Sequence, residues 1–168
     1  MTILKDRRDE ILSRLETVLE GLTIPLTTGT IPANNFVRNR NELPAGKVPG
    51  IILLDADEVQ DPRAIRMADG RQLPPGVQVM KMTPEVYVVL DVRKPQNANV
   101  GQDLNLARAT VIRAIFSDTE LRNLCGTNGQ IYYDGCVTDL ARNRTMEGQI
   151  GMSFTFCYPL IPGELVTE

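Results

Sequence analysis

Asp103-Leu104-Asn105-Leu106-Ala107-Arg108-Ala109-Thr110-Val111-Ile112-Arg113-Ala114-Ile115-Phe116 carries the period of a helix at the centre of the fold. At about 100° per residue, Leu104, Ala107, Val111, Ala114 and Ile115 share one face, and Ile112 and Phe116 widen it. Arg113, Ser117 and Thr110 fall roughly opposite. The spacing predicts a helix over 104–124, with Asp118-Thr119-Glu120-Leu121 restarting or extending it. Asn99, with Gln102 three residues on, is placed to cap its start. An apolar side this wide needs a sheet to lie on, and strands flank the helix in sequence. In Glu85–Arg93, Val86, Val88, Leu90 and Val92 face one way while Tyr87, Val89, Asp91 and Arg93 face the other. In Gln149–Tyr158, Ile150, Met152, Phe154, Phe156 and Tyr158 line one face, and the small Gly151, Ser153, Thr155 and Cys157 line the other. That second pattern packs one face on helices and lets the other approach something closely.

Outward from this centre, Gln130–Arg142 reads as a strand, with Asp134-Gly135 marking a bulge or bend and Asn143-Arg144 the turn into the last strand. Before the centre, Val48–Asp55 carries the continuous apolar run Ile51-Ile52-Leu53-Leu54 of a buried strand. Val77–Met82 is another strand, separated from Glu85–Arg93 by Thr83-Pro84. The polar stretch between them, 56–76, contains Asp61-Pro62, Asp69-Gly70 and Pro74-Pro75-Gly76, and reads as a projecting hairpin arm without core residues. Its arginines, Arg63, Arg66 and Arg71, are candidates for intermolecular contact.

At the start of the chain, Ile11, Leu15, Val18 and Leu22, with Leu12 and Leu19 beside them, predict a helix over Lys5–Glu20, capped by Thr2 and stopped by Gly21. Its apolar face packs on the domain's own sheet or on a neighbouring subunit. Thr23–Gly50 holds Pro25, Pro32, Pro44 and Pro49, which forbid a helix and restrict central strand pairing. Within it, Asn35–Arg40 can form a short edge strand with Arg38 and Arg40 on one face, facing a carboxylate-bearing partner or water. The fold class is therefore α+β: a mostly antiparallel sheet with two main helices on one face and a projecting arm, in one domain over 1–162 followed by a mobile tail at 163–168.

Composition bounds the chemistry. With 168 residues and 42% hydrophobic content, one domain can bury a core, and a net charge of −3 offers no basic excess for sequence-specific nucleic-acid binding. No apolar run approaches the roughly 18 residues needed to span a bilayer. The charged N-terminus does not read as a secretory signal, so the Asn143-Arg144-Thr145 sequon carries no meaning. The chain has no histidine, which removes Ser-His and Cys-His pairs, histidine metal ligation and imidazole acid–base work. No Walker-type phosphate loop is present. Cys125, Cys136 and Cys157 lack paired or CxxC spacing and read as reduced structural thiols. Asp55, Asp57, Glu58 and Asp61 form the densest acidic cluster. Two carboxylates on one strand face can hold Mg²⁺ with a further ligand, but no phosphate-binding element accompanies them, and a solvated strand end is the reading adopted. No cofactor or catalytic residue is expected. Arg108 lies about 20° from Ile115 on the helical wheel, inside the apolar sector. It either snorkels to water or pairs with a carboxylate, for example on a neighbouring subunit.

The order helix, proline-rich link, strand, arm, strand, helix, hairpin resembles the tail terminator proteins of long-tailed bacteriophages. Phe36-Val37-Arg38-Asn39-Arg40 ahead of Val48-Pro49-Gly50-Ile51-Ile52-Leu53-Leu54-Asp55 looks like the front half of that family. Leu104-Asn105-Leu106, Asp118-Thr119-Glu120-Leu121 and the closing Gly148–Tyr158 also fit, so the resemblance covers most of the chain. It implies a non-enzymatic virion protein, made in the host cytoplasm. Such proteins form a ring, usually a hexamer, at the head-proximal end of the tail tube, with the tube protein and the head connector as partners and viral DNA passing through. A head–tail connector subunit is the neighbouring alternative. Arg38 and Arg40 on one side, and Asp55, Asp57 and Glu58 on the other, are then expected as opposite-sign patches between subunits, with Arg63, Arg66, Arg71 and Arg108 as further contact residues.

Overall fold

A computed structural model describes residues 6–27, 29–61, 76–91, 99–126, 130–139 and 147–160. In chain order these form α1 (Arg7–Glu20), β1 (Ile24–Leu26), β2 (Gly29–Ile31), β3 (Phe36–Arg38), β4 (Gly50–Leu54), β5 (Glu58–Gln60), β6 (Gln78–Met82), β7 (Glu85–Asp91), α2 (Val100–Ser117), α3 (Thr119–Leu124), β8 (Gln130–Asp139) and β9 (Glu147–Leu160). The fold is α+β, with a mostly antiparallel sheet and the helices on one face. The turn at 143–144, the tail at 163–168 and the arm residues 62–75, with Arg63, Arg66 and Arg71, lie outside the described residues.

The sheet is simpler than its count of strands. β9 pairs with β7 along Glu147–Ser153 and with β6 along Phe156–Leu160, and one register runs unbroken from Asp91↔Glu147 to Gln78↔Leu160. β8 covers Gln149–Cys157 of β9, so β6 and β7 must share the opposite edge. They are one long strand interrupted at Thr83-Pro84. The interruption has a chemical cause. Pro84 accepts from the Phe154 amide (3.2 Å), but it has no N–H to return the bond. Across the gap the hydroxyls of Thr83 and Thr155 lie 3.0 Å apart. β4 pairs antiparallel with β7, and β5 with β6, so residues 50–60 form the matching ribbon, stepped by one residue at 55–57. The β5–β6 pair is the base of the expected arm.

β9 carries the alternation expected of it. Ile150, Met152, Phe154, Phe156 and Tyr158 are all buried on the helix side. They meet Ile11, Leu12, Leu15 and Leu19 of α1 and Leu104, Ala107, Val111 and Ile115 of α2 in one hydrophobic cluster. Each such side chain stabilises by about 1.5–3 kcal/mol through area removed from water. The first helix therefore packs on its own sheet. Its N-cap is Asp6, whose Oδ1 accepts from the Arg8 amide (3.0 Å), rather than Thr2. Gly21 ends it as expected.

The central helix starts a turn earlier than expected and is two helices. Asn99 is the N-cap of α2, but its side chain makes no capping bond. At Asp118 the backbone turns extended, and the Asp118 side chain caps α3 by accepting from the Leu121 amide (2.8 Å). Competition from a good N-cap residue explains the break. The proline-rich 23–50 segment is more ordered than its composition suggests. It contributes the small β1–β2 hairpin, docked against α2, and the edge strand β3, which runs parallel to β4.

The small-residue side of β9 does approach something closely, and it lies within the same chain. Gly151 stands opposite Tyr87, and a Cβ on Gly151 would lie 2.6 Å from the Tyr87 ring. The ring is held there by its hydroxyl, which donates to Glu85 (2.6 Å). Gly151→Ala is expected to cost about 1 kcal/mol, at the low end for overpacking because Tyr87 is only half-buried. A urea midpoint unchanged from the parent would rule out this close packing. The bulge falls where Asp134-Gly135 predicted it: the β8–β9 register shifts between Tyr133 and Gly135, with Gly135 at φ 128°.

Candidate functional site

The charged residues singled out as interface candidates are placed very differently from one another. Arg38, at the end of β3, donates through Nε and Nη2 to Asp55 (2.9 and 2.8 Å) and through Nη1 to Glu16 of α1 (2.7 Å). This bidentate fork is the geometry that suits guanidinium and carboxylate. It forms because β3 and β4 run parallel, so that Arg38 and the residues just past Leu53 leave the sheet at the same end. Arg38 and Asp55 are therefore partners within one chain. Arg40 is not on Arg38's face. Asn39 adopts a left-handed backbone (φ 55°), its amide donating to Leu53 O (2.8 Å) and its Oδ1 accepting from the Asp55 amide (2.9 Å). That turn ends the strand and leaves Arg40 exposed.

The acidic cluster is likewise dispersed. Asp55 faces Arg38, Asp57 is exposed, and Glu58 accepts from the Tyr158 hydroxyl on the helix side of the sheet. Burial, with Glu58 adding to it, pushes the Tyr158 phenol up from its ordinary value. Among the described residues, no three His, Cys, Asp or Glu side chains converge as metal ligands. Arg8 donates to Ala56 O (2.7 Å), so α1 also holds the step between β4 and β5 at the root of the arm.

Within the chain, Arg108 is served by Tyr133. Its Nε donates to the Tyr133 hydroxyl (2.8 Å), and its guanidinium carbon stands 5.0 Å from the centre of that ring. An aromatic face and a phenol oxygen serve the charge where the helix wheel suggested an acid. The residue is half-buried, as a snorkelling arginine should be.

Two acidic groups in these clamps are shifted. The Arg38 guanidinium holds the Asp55 carboxyl below its usual range, and Arg14, with the Leu121 amide, does the same for Asp118. Arg14 reaches Asp118 at 2.7 Å and Glu120 at 3.0 Å. A depressed folded-state value means stability that is present above the unfolded value, about 3.9, and lost as pH falls through the lower folded one. The melting temperature is expected to drop on acidification below about pH 4. Arg38→Met should flatten part of that dependence, and an unchanged acid profile would show that the Arg38–Asp55 clamp does not act in solution.

Sequence reading missed one polar residue altogether. Asp103, in the first turn of α2, is only 2% exposed, and its Oδ1 accepts from the Thr27 amide (2.7 Å), tying the β1–β2 turn to the helix. Of the cysteines, Cys125 and Cys157 are buried and Cys136, on β8, is exposed. Burial pushes the Cys125 thiol up to about 12, which makes it unreactive.

The side of the sheet away from the helices is only partly covered. An apolar row crosses it through the paired positions Val37, Ile52, Tyr87, Gly151 and Val137. At the β3–β4 end, Leu43 packs over it, whereas at the other end Val137 is 77% exposed. A groove of about 460 Å³ beside Tyr87 is lined by Glu85, Val137, Thr138, Gln149, Gly151 and Ser153. No helix among the described residues is long and apolar enough to cross a membrane. Compared with known proteins, the chain matches no family model and no curated protein.

Proposed function

We propose that this chain is a structural subunit of a long-tailed bacteriophage that caps the head-proximal end of the tail tube. In this reading it forms a homo-oligomeric ring, a hexamer, which stops addition of tube subunits and presents the surface to which the head connector joins. Its partners are further copies of itself, the tube protein and the connector, and its place is the neck region of the virion. The observation that carries the reading is the element order. A helix packs on an antiparallel sheet whose longest ribbon pairs β4 with β7 and β5 with β6, followed by a helix and a closing hairpin. This is the order that produced the resemblance to tail terminators. The layout also suits a ring, because a ring uses heterologous contacts, in which one patch meets a different patch on the neighbour and rotation closes the set. The β5–β6 flank and the β8 flank are such unlike surfaces.

The test is tail assembly without this protein. Tubes of uncontrolled length, or tails unable to join heads, are expected. Normal-length tails that lack only head attachment would favour a connector subunit. Normal-length tails that still join heads would sink both.

A further inference from the structure

The β3 and β8 edges of the sheet are built differently, and we infer that the β8 edge of one copy receives the arm of the next copy, by strand addition steered by charge. The contact specifies how copies of the proposed ring meet, and so rests on that reading.

An unpaired strand edge invites another chain, and proteins guard it with shortness, lysine, proline or irregular backbone. The β3 edge has three such guards. It is three residues long, it stops at left-handed Asn39, and Lys47 Nζ donates to the outward carbonyl of Phe36 (2.9 Å). The β8 edge has one interruption, the bulge at Asp134. Otherwise it runs for ten residues, Gln130–Asp139, without lysine, arginine or proline, and among the described residues it pairs with β9 alone. Beside exposed Asp134 and Thr138 it carries exposed apolar groups on either side of the bulge, Tyr132 at 50% and Val137 at 77%. A strand added here would extend the apolar row that ends at Val137 and so bury it.

Charge and position select the occupant. β8 contains Asp134 and Asp139 and no cation, and the Asp134 carboxylate is oriented by the Thr155 hydroxyl (2.6 Å). The outer stretch of the arm, 62–75, holds Arg63, Arg66 and Arg71 against the single acid Asp69, with Asp57, Glu58 and Asp61 nearer its root. Opposite charge of this kind sets register and speeds encounter, while main-chain bonds and apolar burial supply affinity. The arm leaves the sheet from the β5–β6 side of β9, the edge opposite β8. Donor and acceptor thus lie on opposite flanks of one copy, the layout for a head-to-tail contact between copies.

The native cysteines provide the test. A size-tagged chain carrying Arg66→Cys and Cys136→Ser is mixed with the untagged chain, whose Cys136 is exposed, while Cys125 and Cys157 stay buried in both. A short bismaleimide should give a tagged–untagged covalent product. Val137→Lys in the untagged chain should lower its yield about tenfold, as expected for a charge placed in the new contact, with circular dichroism and melting temperature unchanged. Products confined to Cys136–Cys136 dimers would overturn the inference in favour of β8–β8 pairing. No product, or a yield indifferent to Val137→Lys, would also overturn it. Absence of the cross-link together with overlong tubes in the deletion would remove this contact and leave the terminator reading standing. Cross-linking with normal tails in the deletion would do the reverse.

Discussion

Phe154→Ala is expected to lower the free energy of unfolding by about 3–5 kcal/mol, the range for a buried phenylalanine truncated without collapse of the site. Phe154 is fully buried at the middle of β9. Its ring lies 5.4 Å from that of Tyr133 on β8 and 6.4 Å from that of Phe116 on α2, both tilted, so the core here joins strand, strand and helix. Such aromatic pairs add about 0.5–1.5 kcal/mol beyond area burial. Collapse into the void is opposed from several directions. The Phe154 amide is bonded to Pro84 O at the break between β6 and β7, and Tyr133 is held by Arg108. Since a domain of this size has roughly 5–15 kcal/mol in hand, the variant should lose about a fifth or more of its stability. The urea midpoint should fall with the slope unchanged, and Phe154→Leu should fall less. A loss below about 1 kcal/mol would mean that the site relaxes or that the ring is not central to the core.

The parts of the fold that were legible in sequence are those with a strong local period. In β9, large residues alternate with small ones over ten positions, and no other element type produces that pattern. In α1, four leucines and isoleucines recur on one face and all are buried. The bulge at Asp134-Gly135 was legible because glycine tolerates the positive φ it needs. What was not legible depends on how elements meet. β1 and β2 are three residues each and carry Pro25 and Gly29, so no periodicity marks them, and they are strands because the hairpin docks on α2. The Arg38–Asp55 clamp requires β3 to run parallel to β4, and neither direction nor register is written in a three-residue strand. A helical wheel placed Arg108 correctly on its face, but the wheel has no knowledge of Tyr133, twenty-five residues later on another element. Arg38, Asp55 and Arg108 are engaged within the chain, and the exposed β8 edge, which no charge pattern announced, became the more informative surface.

Asp103 is the residue whose role was least visible, and Asp103→Ala is expected to cost about 1.5–2 kcal/mol, the lower part of the range for a hydrogen bond to a charged group, because the bond is only part-buried. In sequence it reads as an ordinary acid in the first turn of a helix, where the helix dipole favours negative charge at the surface. In the fold it is buried, because the β1–β2 hairpin lies across the start of α2, and its Oδ1 takes the Thr27 amide at 2.7 Å. Removing the carboxylate takes from that amide its protein acceptor and leaves a void at the buried side chain, while exposed Thr27 can turn its amide to water. The loss of the favourable charge near the helix N-terminus adds a few tenths to about 1 kcal/mol. Asp103→Asn keeps an acceptor oxygen of the same reach, so it should recover most of the loss, whereas Asp103→Leu should not, although leucine is comparably sized and apolar. Amide hydrogen exchange separates this account from simple packing. In Asp103→Ala and Asp103→Leu, but not in Asp103→Asn, the Thr27 amide should lose protection ahead of the β9 amides, since the hairpin would open before the sheet. Equal stability for the asparagine and leucine variants would show that Asp103 fills space there and does not hold the turn.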